Sequence, residues 1–227
     1  MPTDKVLYLI GGPNGSGKTT LAKELLDTYK DLKFMNADEV ATKNNLGMID
    51  AARIVLNDMT YTLEQGQSFI WETTLSGTYH NKFLTLAHEA NYKIIFSYVM
   101  LASPEQNLAR VQQRVVLGGH NVPEDVLRRR YLKSVMNFKL VREIVDSWIL
   151  YYNGDKRIVE VARGDNNSEI SIKDSEEYQK CKEVYNNALE EIKVLANRGA
   201  RHAQRVANQL GVNVVYEKMK DQIQNIM

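Results

Sequence analysis

Apolar residues along this chain recur in two alternating patterns. Short, nearly continuous apolar runs stand at 6–10 (Val6, Leu7, Tyr8, Leu9, Ile10), 33–36, 68–72, 92–100, 148–152 and 157–162. Runs of that length read as strands, and the unbroken hydrophobicity of 92–100 predicts a central strand buried on both faces. Between them the spacing becomes helical. Residues 50–66 carry Ala51, Ile54, Val55, Met59 and Leu63 and stop at Gly66, and further helices are predicted at 80–90, 104–117 and from 123 to about 146. Ser103-Pro104-Glu105 and Pro123-Glu124-Asp125 are helix openings, with proline and acid where the first turn favours them. Strand and helix in alternation predict an α/β fold, a doubly wound parallel β-sheet flanked by helices, with ligands bound beyond the carboxyl ends of its strands.

From Asp174 the pattern is polar, charged and helical, over 174–197 and 199–210, with Gly199 and Gly211 as breaks. This predicts a core at 1–165, a linker at 165–168, and a C-terminal helical appendage at 174–227 serving self-association or a partner.

Composition narrows the function classes. The 227 residues are 44% hydrophobic, enough for one cored domain, and 29 basic against 28 acidic residues leave a net charge of +1. So even a balance exerts no global pull toward nucleic acid or an anionic membrane, and neither is expected as a partner. The one cysteine, Cys181, excludes an intrachain disulfide and a Cys-rich zinc site, and reads as a half-buried thiol on a helix. No apolar stretch approaches the roughly 18 residues of a membrane span. The first strand starts within five residues of Met1, leaving no room for a signal peptide, so the expected location is cytoplasmic.

The strongest chemical signal lies just after the first predicted strand. Gly12-Pro13-Asn14-Gly15-Ser16-Gly17-Lys18-Thr19 is a complete G-x-x-x-x-G-K-[ST] loop, followed by Thr20 and a helix-forming run at 21–26. Strand, glycine loop and helix is the order that turns backbone N–H groups and a helix N-terminus toward one anion. Residues 12–20 are therefore expected to hold ATP, with Lys18 reaching the β- and γ-phosphates and the Thr19 hydroxyl ligating Mg²⁺.

Three further clusters fall where a phosphotransferase needs them. Asp38, at the carboxyl end of the second strand, can accept the proton of an acceptor hydroxyl or hold Mg²⁺-bound water, and capping the following helix is its plainer role. Glu72, Thr73 and Thr74 end the third strand, where an acid can bind Mg²⁺ or orient a substrate group and the hydroxyls can donate hydrogen bonds. Arg110 and Arg114 share a helical face before Gly118-Gly119-His120-Asn121, and Arg128-Arg129-Arg130 follow. Two arginine-bearing helices about a glycine hinge, over about 104–135, read as a lid that brings guanidinium groups to a transferred phosphoryl. Arg114 and Arg128 are the candidates for that work, and His120 can touch substrate or cap a helix. Since each residue turns about 100° around a helix, the three consecutive arginines cannot all face one site. Tyr131, Phe138 and Trp148 read as core or pocket wall.

Taken together, GGPNGSGKTT at 11–20, NADEVA at 36–41, ETTLSG at 72–77 and RVVLGGHNVPEDVLRRRY at 114–131 make the chain resemble the zeta-toxin family of P-loop kinases, in its chromosomal zeta-like subgroup. The resemblance covers about 4–163. It implies a parallel sheet flanked by helices and transfer of the γ-phosphoryl of ATP to a hydroxyl on the sugar of UDP-N-acetylglucosamine. It also implies Lys18 as the loop lysine, Asp38 as general base, Glu72 as substrate-side acid, Arg114 and Arg128 as lid arginines, and an antitoxin partner. From the residues themselves two other readings stay open. One is a nucleotide-gated interaction protein working through the charged C-terminal helices, and the other is a polynucleotide kinase using the 128–130 arginines.

Overall fold

The computed structural model describes residues 5–116, 122–154, 157–165 and 170–197. The Gly118–Asn121 hinge with His120, the 166–168 part of the linker and the helix expected at 199–210 lie outside these. Among the described residues the elements run β1 (Val6–Gly11), α1 (Lys18–Thr28), β2 (Lys33–Asn36), α2 (Ala37–Asn44), α3 (Met48–Glu64), β3 (Phe69–Thr73), α4 (Tyr79–Glu89), β4 (Lys93–Met100), α5 (Pro104–Val116), α6 (Glu124–Arg142), β5 (Ser147–Asn153), β6 (Ile158–Asp165), β7 (Ser171–Ile172) and α7 (Ser175–Asn197).

The strands form one seven-stranded sheet in the order β2-β3-β1-β4-β5-β6-β7. Five strands, β2 to β5 in that order, are parallel neighbours, as the alternation predicts. The parallel order ends at β5, since β6 pairs antiparallel with β5 and β7 antiparallel with β6. The physical reason is length: too few residues separate Asn153 from Ile158 for a crossover, so the chain turns back as a hairpin.

The main core lies on the sheet face covered by α3, α4, α6 and α7, with Leu7, Leu9, Phe69, Phe83, Phe96, Tyr98, Val135 and Trp148 among its buried members. A smaller cluster (Ile10, Leu21, Ala22, Ile70, Val99) seats α1 on the other face. Tyr131, Phe138 and Trp148 are buried, as expected. The described part of the expected appendage is not detached. α7 sinks Cys181, Val184, Ala188 and Ile192 into the main core, at one apolar residue every three or four. Its sequence looks polar because the opposite face carries the charges.

Candidate active site

All five parallel strands deliver their carboxyl ends to one edge of the sheet, and the loop after β1 lies at its centre. The loop's shape depends on glycine at two points. Gly12 has φ +148°, and a Cβ there would lie 2.5 Å from the Val99 carbonyl oxygen and 2.7 Å from Ser16 Oγ. Gly17, the N-cap of α1, has φ +101°, and its Cβ would lie 2.8 Å from Ile158 Cδ1. Both conformations strain any L side chain.

Neighbouring elements clamp this loop. Asn107 of α5 donates from Nδ2 to the Asn14 carbonyl. Arg110 of α5 donates to the carbonyls of Gly15 (3.4 Å) and Gly154 (2.5 Å) and to Asn153 Oδ1 (3.2 Å). Asn153, the last residue of β5, donates from Nδ2 to the Ser16 carbonyl at 2.7 Å. Two buried polar atoms of the loop, Asn14 Oδ1 and Ser16 Oγ, and one on α5 beside it, Asn107 Oδ1, have no protein partner. Buried polar atoms are rarely left unpaired, so a polar ligand is the expected partner here.

Lys18 is buried, and its Nζ donates to the Pro13 carbonyl at 2.8 Å. Burial pushes its pKa down, while Glu72 and Asp38 oppose that shift and Arg114 reinforces it. Glu72 is buried beside it, and the Thr19 hydroxyl donates to its carboxylate at 3.0 Å. Burial raises the Glu72 pKa, with Lys18 and hydrogen bonds from Thr19 and Asn36 pulling it back. Asn36 and Glu72 are register partners on β2 and β3, which explains their contact.

Asn36 also caps α2, its Oδ1 accepting from the backbone N–H of Asp38 (2.8 Å) and Glu39 (3.2 Å). The capping role thus falls to Asn36. The Asp38 side chain lines a cavity of about 230 Å³ shared with Lys18, Glu72, Thr73 and Thr74. Met48, Ala52, Val55, Leu56, Trp71 and Tyr79 give that cavity apolar walls, and Ser76 and Arg130 complete its polar lining. The loop carrying Thr74 and Ser76 is held from α6, where buried Asn137 donates from Nδ2 to the carbonyls of Leu75 (2.7 Å) and Gly77 (3.2 Å).

Of the residues expected from sequence, the cavity thus gathers Lys18, Asp38, Glu72, Thr73 and Thr74, with Thr19 bonded to Glu72. Thr20 is exposed on α1 beside the loop, and Arg114 is exposed on α5 but close enough for its charge to act on Lys18. Arg128 lies elsewhere. It is exposed and pairs with Glu191 of α7 at 2.6 Å and Glu105 of α5 at 3.0 Å, while Arg130 lines the cavity in its stead. Sequence reasoning passed over Asn107, Asn137 and Asn153, and did not see that Arg110 clamps the loop. For Arg130 a signal was available. It stands three residues after buried Leu127 and four before buried Ser134, on the inward side of α6, whereas Arg128 is rotated outward.

Residues 2–176 match the family model described as Zeta toxin. An uncharacterized protein of Haemophilus influenzae is 33% identical over 125 residues, which span 53% of this chain and 88% of that protein. Among solved structures, the complex of AvrRxo1-ORF1 and -ORF2 with ATP is similar with a TM-score of 0.59 at 16% identity, over 92% of this chain and 76% of that one. The PezAT chromosomal toxin-antitoxin system of Streptococcus pneumoniae is similar with a TM-score of 0.52 at 15% identity, over 83% of this chain and 87% of that one. At such identities the structures speak for a shared fold. The family model, matched over most of the chain, carries the closer relationship: the chain belongs to the zeta toxin family.

Proposed function

We propose that this protein is an ATP-dependent phosphotransferase that moves the γ-phosphoryl of ATP to a hydroxyl of a small acceptor. The observation that carries the reading is the shared cavity, which places an acceptor-side carboxylate, Asp38, in one space with the loop lysine, Lys18. ATP occupies the loop at 12–20, where its phosphates accept from the unpartnered Ser16 hydroxyl and draw Lys18 off the Pro13 carbonyl. Asp38 takes the proton of the acceptor hydroxyl. The hydroxyl oxygen bonds to the γ-phosphorus, the bond to the β–γ bridging oxygen breaks, and ADP leaves. Lys18 and Arg114 offset the charge on the phosphoryl oxygens, and Thr73 and Thr74 orient the acceptor.

The residues fit Mg²⁺ held as nucleotide kinases hold it, by few protein oxygens together with the phosphates. Among the described residues no cluster of three or more acids, histidines or cysteines could hold a metal alone, and the Thr19 hydroxyl and Glu72 carboxylate are the oxygens beside the loop. Bound there, the ion would neutralise phosphate charge.

UDP-N-acetylglucosamine is the acceptor the family membership favours. Incubation with γ-labelled ATP should give a labelled sugar nucleotide with wild-type protein and none with Asp38→Asn. A different labelled product would keep the kinase and discard that acceptor. The AvrRxo1 neighbour is described with ORF1 and ORF2 together and the PezAT neighbour as part of a toxin-antitoxin system, which supports an antitoxin-like partner for this chain. The nucleotide-gated interaction reading loses part of its motive, because α7 is packed into the core. No helix among the described residues is long and apolar enough to cross a membrane.

A further inference from the structure

We infer that the protein phosphorylates itself on Ser76 when no acceptor is bound, and that the phosphoserine shuts the acceptor end of the cavity. The inference rests on the phosphotransferase reading and adds to it a modification site and a limit on the protein's own turnover.

Four observations carry it. First, Ser76 stands in the space where transfer takes place. Its side chain lines the same cavity as Lys18 and Asp38. It lies four residues beyond Glu72, whose carboxylate is bonded to the Thr19 hydroxyl beside the nucleotide loop. A hydroxyl that shares a cavity with the base is present at high effective concentration whenever the acceptor is absent.

Second, the loop after β3 is built to present that hydroxyl. Thr73 Oγ1 accepts from the Leu75 N–H at 3.2 Å, and Leu75 takes φ 56°, a left-handed conformation that strains a leucine. Leu75 is anchored in the main core, and buried Asn137 donates to the carbonyls on either side of Ser76, those of Leu75 and Gly77. With Leu75 turned to the core, Thr74 and Ser76 line the cavity, their hydroxyls 2.9 Å apart.

Third, Ser76 has the most freedom among the described hydroxyls that line the cavity. The Thr73 hydroxyl is held by Leu75, and Thr74 is branched at Cβ and stiff at χ1. The Tyr79 ring is stacked on Phe83, with centroids 6.3 Å apart and planes at 29°. Ser76 is unbranched, and a Cβ added at the following Gly77 would meet nothing within 4 Å.

Fourth, a cation in the same lining is ready for the product. Arg130 is half-buried there and makes no hydrogen bond or ion pair among the described residues. A phosphoserine carries about −1.5 to −2 charges and three acceptor oxygens, two of which match the guanidinium fork.

In the step itself Asp38 takes the Ser76 proton and Ser76 Oγ bonds to the γ-phosphorus. The bond to the β–γ bridging oxygen breaks, and ADP leaves with its electron pair. The phosphate then pairs with Arg130 and stands where an acceptor would enter.

The test uses the full chain, first treated with a phosphatase that is then removed. It is incubated with γ-labelled ATP and Mg²⁺ without acceptor, and the label is mapped by mass spectrometry. Transfer to UDP-N-acetylglucosamine and to a metabolite extract is measured before and after. Label should collect on Ser76, at a rate per chain unchanged by tenfold dilution of the protein. Ser76→Ala should lose it, Ser76→Thr should keep it at residue 76, and Asp38→Asn should slow it about 10²- to 10⁴-fold. The modified chain should serve acceptors at least roughly tenfold more slowly than the phosphatase-treated one and bind a non-hydrolysable ATP analogue equally well. Label on another residue overturns the inference, as does labelling that survives Ser76→Ala or slows on dilution, or a modified chain as active as the unmodified one. Labelled acceptors beside an unlabelled chain keep the phosphotransferase reading and remove this one. Label on neither chain nor acceptor sinks that reading, and this inference with it.

Discussion

The two ends of the cleft are held in different ways. At the nucleotide end, side chains from α5 and the end of β5 reach across to carbonyls of the loop, and Asn107, Arg110 and Asn153 close it from outside. At the acceptor end the walls are side chains on α3, β3, α4 and α6, and Arg130 has no partner among the described residues. The difference teaches which end comes prepared. Backbone in conformations that glycine takes without strain makes a phosphate cradle before any ligand arrives, whereas the acceptor end is walled by side chains.

The largest expected effect that breaks this contrast is at its hinge point, Lys18. Lys18→Met should lower phosphoryl transfer by about 10²- to 10³-fold and weaken ATP binding, while leaving the preference among acceptors unchanged. Steady-state kinetics with two acceptors would check it. Next comes the clamp. Asn153→Ala removes the donor to the Ser16 carbonyl and should weaken ATP binding roughly tenfold, read by nucleotide titration. If acceptor affinity fell as much as ATP affinity, the two ends would not be separable.

The acceptor end also has a pH-sensitive seam. His80, in the first turn of α4 beside cavity-lining Tyr79, is buried with Nε2 unpartnered, and its pKa drops from 6.5 to about 4, through burial first and the Lys133 charge second. Its folded value lies below its unfolded one, so its contribution to stability is present above about pH 6.5 and is lost as pH falls toward 4. Between about pH 7 and pH 5 the loss should be roughly 2 kcal/mol. Denaturant unfolding of wild type and His80→Leu at both pH values measures it, and the variant should lose less on acidification. The smallest effect belongs to Arg128→Ala, which breaks exposed ion pairs to Glu105 and Glu191. It should cost about 1 kcal/mol or less of stability and change transfer less than about twofold. A catalytic loss there of the size expected for Lys18 would return Arg128 to the site.

Legibility followed the same divide. The loop, its strand and its helix could be read because one local stretch of sequence makes the cradle, with glycines where φ is positive and lysine at the helix start. Asp38 and Glu72 could be placed because a strand's carboxyl end is a local property. Asn107, Asn137 and Asn153 could not, since each matters through one contact made by folding distant segments together. Arg128 was preferred to Arg130 by position along the chain, although the apolar spacing of α6 pointed to Arg130. The antiparallel β6 was missed for want of weighing the short link before it. The burial of α7 was hidden by charges on its outer face.

The most direct test of the central claim is a single-turnover measurement with γ-labelled ATP and a metabolite extract, comparing wild type with Asp38→Asn while nucleotide affinity is followed in parallel. If Asp38 is the base, the variant should bind ATP as wild type does and transfer label to the acceptor about 10²- to 10⁴-fold more slowly. Transfer at the wild-type rate by the variant, or no labelled acceptor with wild type, would contradict the account.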